Sequence, residues 1–497
     1  MTFQDTKSGS VSARVITASL WVFGSQIVTL LLVFVAQRLI LSTLDPASNG
    51  TLFLERRLTE VVVGILADFG MNGIVVRRVA QQPERAGQIL ASAFYVRLGL
   101  WSVCTIAVAV AGFASQLALS DVLLWAFYML IASRSALLRY TLETRLRAMS
   151  DFRLPSLLAV ADALIFAALI TFWRESLTPS LVIQAFVVSA IPGFVILMVV
   201  DRGRSTSWTA ASRTEMRAII SEALPVVAAT VLIAVHDKVD AFLVESFSGR
   251  ADVGVLGAAY TTLGPLLAVI PMAVSYAAMP DVARLLTSDE SKGLDVAVGV
   301  MKHLLVISLV VTSVATILMP LFVDVVTKGR YLDALDLFVW FVWSAPFVAI
   351  LVYAQELSVA LRRQGNLLYI AAALVLSTLG FGLLLIPSMS SLGAVVAKII
   401  TSVVGAVVSL GMLRASLGMR ISVLFALRCL ALTVAAAGMT LWLADPSVRM
   451  SGVTLEVAAT ILLRLTGAIV GVTACAMIFG LVTRHDVLRL RKGLAGI

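Results

Sequence analysis

Residues 366–413 read NLLYIAAALVLSTLGFGLLLIPSMSSLGAVVAKIITSVVGAVVSLGML, and Lys398 alone among them is charged. A helix that crosses a bilayer needs about 20 consecutive, mostly apolar residues at a 1.5 Å rise. This stretch is long enough for two such helices, near 366–387 and 391–413. Its glycines, alanines and serines are the small residues that let membrane helices approach each other closely.

The same pattern continues in both directions. Further spans are expected near 15–41, 51–73, 89–112, 121–141, 155–173, 178–200, 218–247, 254–280, 297–325, 335–361, 421–443 and 456–482. The fold class that follows is an all-α polytopic membrane protein of about 14 transmembrane helices. Composition agrees: 60% of the residues are hydrophobic and 13% charged, with a mean hydropathy of +1.00, whereas soluble domains carry about 25% charged residues. Segments of about ten alternating polar and apolar residues, the signature of an outer-membrane barrel, are absent. The apolar run that ends near Leu41 exceeds the roughly 7–15 residues of a signal-peptide core, so it is read as a retained first helix. Span 51–73 differs from the rest in carrying Glu55, Arg56, Arg57 and Glu60 in its first turns.

The net charge of +9 is distributed as a topology signal rather than a nucleic-acid-binding face. Lys7 and Arg14 precede the first span, and Arg77, Arg78 and Arg85 follow the second. Arg139, Arg145, Arg147 and Arg153 lie around the end of the fourth, and Arg202, Arg204, Arg213 and Arg217 follow the sixth. The tail adds Arg484, Arg489, Arg491 and Lys492. The opposite loops hold far fewer cations, among them Arg174, Arg250, Lys328, Arg330 and Arg449. Basic residues collect on the cytoplasmic side, which places both termini in the cytoplasm of an inner-membrane protein.

The longest polar connection, 201–217, divides the chain into an N-terminal lobe (1–200), a cytoplasmic linker (201–217), a C-terminal lobe (218–415) and two additional helices with a basic tail (416–497). Two pairs of loops support a parallel repeat. Asp45-Pro-Ala-Ser-Asn-Gly50 is similar to Gly249-Arg-Ala-Asp-Val-Gly254, and Leu146-Arg-Ala-Met-Ser-Asp151 to Leu361-Arg-Arg-Gln-Gly-Asn366. Internal repeats of this kind are a common transporter construction, with the substrate site between the halves.

Other residues carry a family likeness: Leu66-Ala-Asp-Phe-Gly-Met-Asn-Gly-Ile-Val-Val-Arg-Arg78, Leu224-Pro225 with Asp240 beyond it, and Val253-Gly-Val-Leu-Gly-Ala-Ala-Tyr260 followed by Met279-Pro280. The basic loop Arg145–Arg153 and Leu392-Gly-Ala-Val-Val-Ala397 fit as well. Over roughly 15–415 the chain resembles the polysaccharide-export, O-antigen flippase-like branch of the multidrug/oligosaccharidyl-lipid/polysaccharide flippase superfamily. Glu55-Arg56-Arg57-Leu-Thr-Glu60 departs from that family, which is usually apolar there. The resemblance implies two six-helix lobes with pseudo-symmetry around a V-shaped cavity, alternating access, coupling to an ion gradient, and a polyprenyl-pyrophosphate-linked glycan as cargo. Membrane lipids, and a glycan polymerase or glycosyltransferases of the same pathway, are the partners that fit; nucleic acid is not expected.

Charge inside a membrane is costly and is paired, faces water, or serves function. Counted at 1.5 Å per residue, Arg97 lies roughly 12 Å into its span, Arg134 roughly 20 Å and Lys398 roughly 10 Å. With Arg56 and Arg57 they are the candidate substrate-binding residues, because a guanidinium fork suits phosphate oxygens. The alternative for Arg56 and Arg57 is a local salt bridge to Glu60, three or four residues on. Asp162, roughly 10 Å into its span, and His236, Asp237 and Asp240 are the candidates for ion coupling, with simple pairing or capping as the alternative. Arg428 and Arg464 could contact lipid phosphates or pair with carboxylates.

No enzyme signature appears. His236, His303 and His485 are scattered, and Cys104, Cys429 and Cys475 have no paired spacing, so neither metal nor disulfide is expected. There is no P-loop, and no cofactor is expected. The expected function is therefore translocation of a lipid-linked saccharide. A multidrug exporter of the same superfamily and a polytopic cell-envelope glycan enzyme are the alternatives.

Overall fold

The computed structural model describes residues 8–62, 71–114, 118–132, 137–148, 151–202, 210–265, 289–360, 365–417, 423–449 and 454–481, with 267, 282 and 285 besides. Among them the chain is all-helical, with no strand. It forms two compact units, Met1–Lys238 and Val239–Ile497.

The first unit contains α1 (Ser8–Thr43), α2 (Pro46–Val62), α3 (Met71–Gln81), α4 (Ala86–Ala114), α5 (Leu119–Phe127) running into a π-helical turn at Tyr128–Ala132, α6 (Leu137–Ala148), α7 (Arg153–Phe172) and α8 (Pro179–Arg202). It also holds most of α9 (Arg213–Ser248). α1 packs along α7, and α7 along α8; α3, α4 and α6 pack together. Ile40, Leu52, Phe166, Ile170, Val182 and Ile183 meet in one apolar cluster, and Met71, Val75, Ile89, Ala93 and Ile219 in another.

α2 begins abruptly for a local reason. The Asp45 carboxylate accepts hydrogen bonds from the backbone N–H groups of Ala47 (2.9 Å) and Ser48 (3.0 Å) and from the Ser48 hydroxyl (2.7 Å). Pro46 supplies a first helical residue whose missing N–H costs nothing there. The Ser48 bonds hold the Asp45 carboxyl below its ordinary value of 3.8.

The second unit contains a helix over 250–265, here α10. It continues with α11 (Glu290–Thr327), α12 (Leu335–Val342), α13 (Ala345–Ala360), α14 (Gly365–Leu417), α15 (Val423–Leu443) and α16 (Leu455–Ile478). α11 is its central element, packing on α12, α13, α15 and α16. The buried Ser313 of α11 accepts a 2.8 Å hydrogen bond from Thr440 of α15. Lipid offers helices no hydrophobic gain for associating, so close packing and such polar links hold them together.

α14 covers both spans of the 366–413 stretch, and the chain breaks between them at Ser390, with φ 52° and ψ −134°. The reversal brings Gly393 against the backbone of Leu385: a Cβ there would lie 2.5 Å from the Leu385 carbonyl oxygen. Gly249, at φ +89°, ends α9 just before α10. Its N–H donates to the carbonyls of Val244 and Glu245 at 3.2 and 3.1 Å, the left-handed stop that glycine favours.

Every expected span holds helix among the described residues. Of these helices, 8 are long and apolar enough by themselves to cross a membrane. Four of the remaining spans fall short for identifiable reasons. α2 carries four charges, 119–132 and 427–443 are shorter apolar helices, and much of 254–280 lies outside the described residues.

Candidate functional site

The charged turn of α2 meets the far part of α9. Lys238 Nζ lies 2.8 Å from Glu60 and 2.9 Å from Asp237. Arg57 Nη1 lies 3.9 Å from Glu60 and 3.7 Å from Asp237. Its guanidinium also sits over the Phe53 ring, 4.7 Å from the centroid.

Arg56, the next residue along α2, turns to a different set of partners. Its guanidinium lies 4.9 Å from the centroid of Phe186, near the Tyr128 side chain. Phe186 stacks on Phe166 at 4.1 Å, and Tyr128 packs edge-on against Trp125 and Phe186. The π-helical turn places Tyr128 here, and such turns recur at functional sites. The Arg56 Nε–H is buried and makes no hydrogen bond. Arg56, Arg57 and Lys238 thus gather around Glu60 and Asp237, and the cluster holds one buried donor without an acceptor, the Arg56 Nε–H.

A second buried network lies between α6, α7 and α8. Arg139 donates through Nε to Glu143 at 3.1 Å and through Nη1 to Asp162. Asp162 Oδ1 is buried without a hydrogen bond. Gly193 of α8 makes room for the pair: a Cβ there would come within 2.9 Å of Asp162 Oδ1. One guanidinium here serves two carboxylates. At the other end of α9, Arg78 pairs with Glu215 and, at 2.7 Å, with Glu222, while Arg85 reaches Glu215 at 3.3 Å.

Arg97 is 1% exposed and donates to the Thr141 hydroxyl, sealed between α4 and α6. Arg134 lies outside the described residues. His236 is buried in α9. In the second unit, Asp240 accepts hydrogen bonds from the Tyr260 hydroxyl (2.6 Å) and from the N–H of Ala241 (2.8 Å). The Tyr260 ring stacks on Phe341 of α12 at 4.6 Å. Lys398 is half-buried in the second half of α14. Arg464 reaches back along α16 to Asp445, 3.3 Å away.

The family profile of the polysaccharide biosynthesis proteins matches residues 15–286, more than half of the chain. This chain belongs to the polysaccharide biosynthesis protein family. Its fold is that of solved transporters of the multidrug/oligosaccharidyl-lipid/polysaccharide superfamily. Superposition on the lipid II flippase MurJ in an inward closed conformation gives a TM-score of 0.65 at 14% identity, covering 93% of this chain and 98% of that one. A MATE transporter in the straight conformation gives 0.58 at 15% identity, covering 82% and 96%. An inward-facing multidrug resistance MATE transporter gives 0.56 at 14% identity, covering 79% and 96%. No curated protein matches the sequence significantly. This polysaccharide biosynthesis family member is a multi-pass membrane protein by its long apolar helices, and it shares its fold with the lipid II flippase and the MATE transporters.

Sequence reading alone left out three contributors to the two networks. Lys238 stands beside Asp237, and its position between two acidic partners was the available signal. Tyr128 and Arg139 gave none, because only folding brings them to Arg56 and Asp162.

Proposed function

We propose that the protein is a flippase that carries a polyprenyl-pyrophosphate-linked saccharide across the bacterial inner membrane by alternating access, for surface polysaccharide synthesis. The observation that carries this reading is the α2–α9 cluster of basic side chains, with the unpartnered Arg56 Nε–H. A pyrophosphate oxygen supplies the missing acceptor. Arginine is suited to the task because its planar fork gives phosphate two parallel hydrogen bonds. Membership of a polysaccharide biosynthesis family supports the saccharide, as does the fold shared with a lipid II flippase.

In this reading Arg56 and Arg57 receive the pyrophosphate, and Lys398 and Arg134 are the further basic residues proposed to contact the cargo. Arg97 adds positive charge from within the α4–α6 packing. Asp162, His236, Asp237 and Asp240 are the coupling residues. Asp162 is the foremost of them, since it shares Arg139 with Glu143 and its buried Oδ1 makes no hydrogen bond, a place that a proton or cation would fill. The working parts are the lobes 1–200 and 218–415, the cytoplasmic linker 201–217, and the appended helices and tail 416–497, with both termini in the cytoplasm. Membrane lipids and the polymerase or glycosyltransferases of the pathway are the partners.

The test is complementation of a flippase-deficient strain by the Arg56→Ala/Arg57→Ala variant and, separately, by Arg97→Ala, with membrane abundance measured alongside. Surface glycan is expected to fall to background for the double variant at normal abundance. Full glycan display by that variant would remove the cluster from transport. The fold shared with MATE transporters supports multidrug export as a second reading. Altered drug susceptibility of a deletion strain with its surface glycan intact would favour it.

A further inference from the structure

A groove of about 440 Å³ runs between α1 and α7, lined by Trp21, Gly24, Ser25 and Val28 on one side and Ser156, Leu157 and Val160 on the other. The α1 set follows the i, i+3, i+4, i+7 spacing of a single helix face, and Ser156 and Leu157 lie one turn before Val160 on one face of α7. The Ser25 hydroxyl is turned back to the Val22 carbonyl at 2.9 Å, which leaves the groove wall apolar. Trp21, Val28 and Leu157 remain exposed, so the groove opens sideways from the unit. A Cβ on Gly24 would meet nothing within 4 Å, so the glycine keeps the groove deep rather than permitting a close helix contact.

The stripe on α7 ends in a cation. Arg153 precedes Ser156 and Leu157 by three and four residues, on the same face and roughly one turn away, and it is exposed. The neighbouring Asp151 carboxylate accepts from the Arg153 backbone N–H at 3.4 Å. The distribution of basic residues places this end of α7 at the cytoplasmic surface, where the leaflet is rich in anionic lipids.

We propose that the α1–α7 groove is a binding site for an anionic phospholipid of the cytoplasmic leaflet, with one acyl chain along Trp21, Gly24 and Leu157 and the headgroup phosphate at Arg153. Apolar grooves on membrane-embedded helices exclude water, and an acyl chain is the occupant with matching shape and polarity. The cation at one end selects among lipids by charge, and a single basic residue near the surface gives about a fivefold preference.

The experiment uses the full-length protein in phosphatidylcholine vesicles that contain a small fraction of dibrominated phosphatidylglycerol or dibrominated phosphatidylcholine. Bromine quenches nearby indoles, and the Trp21 contribution is the difference between the wild type and Trp21→Phe. Stronger quenching of Trp21 by the anionic lipid is expected. Arg153→Gln is expected to abolish that preference, and Gly24→Phe, which adds bulk to open space, to weaken quenching by both lipids. Equal quenching of Trp21 by the two lipids, or a preference that survives Arg153→Gln, would overturn the proposal, since either means unselective lipid contact. Displacement of the brominated lipid by polyprenyl phosphate far more readily than by unlabelled phosphatidylglycerol would also overturn it, by assigning the groove to the carrier lipid. Surface glycan display is not the readout, so failure here and failure of the flippase reading are distinguishable.

Discussion

Replacing Glu60 by Gln removes one of two carboxylates from a cluster of three cations. Lys238 Nζ lies 2.8 Å from Glu60, and Arg57 Nη1 lies 3.9 Å from it. After the substitution Lys238 and Arg57 still have Asp237, at 2.9 and 3.7 Å. Losing one partner of a fully buried ion pair costs about 3–5 kcal/mol, largely because the other charge is left uncompensated. The side chains of Lys238 and Glu60 are 15% and 20% exposed, and Asp237 stays in contact, so the expected cost is about 2 kcal/mol. Lys238→Met is expected to lose a similar amount by stranding Glu60 and Asp237. The double variant is expected to recover most of the loss, because it removes one charge of each sign and keeps Arg57 paired with Asp237. The assay is thermal unfolding of detergent-purified protein at one heating rate, since membrane proteins of this size unfold irreversibly. If the losses of the single variants simply add in the double variant, Glu60 and Lys238 are not coupled and the cluster has been misread.

Gly393→Ala is expected to destabilise by about 1–3 kcal/mol in the same assay, because the Leu385 backbone opposite cannot move aside as a side chain can; an unchanged melting temperature would contradict the close approach. The Asp45 carboxyl is depressed below 3.8, so its contribution to stability is present above that pH and lost as the pH falls through the lowered value. Asp45→Asn is expected to flatten this acid-side loss, which a melting series between neutral and acid pH would read directly. The proposed cytoplasmic placement of both termini predicts that a C-terminal fluorescent-protein fusion fluoresces and an alkaline phosphatase fusion stays inactive, and the reverse result would invert the topology.

The helical membrane architecture was legible because lipid leaves the backbone little choice. Within hydrocarbon every N–H and C=O must be satisfied inside the segment, so a long apolar run becomes a helix whatever its neighbours do. Residues 366–413 show both the strength and the limit of that reading. Two spans were expected and both are helical, but the left-handed Ser390 and the contact of Gly393 with Leu385 belong to the reversal between them, which hydropathy does not report. α2 shows the same limit. Its charges were visible and its i, i+3 pair could be counted, yet Glu60 lies closer to Lys238 of α9 than to Arg57.

The sequence alone determined the chain's class, set an expectation for its spans and their orientation, and marked the deep charges as the residues to watch. Only the tertiary structure decided which of those charges meet. Arg78 finds Glu215 across 137 positions, Arg139 finds Asp162 across 23, and Arg56 settles over the Phe186 ring. Hydropathy is a property of each segment and survives being read one residue at a time. An ion pair or an unsatisfied donor exists only after helices far apart in the chain have packed, so it depends on distances that no local pattern contains.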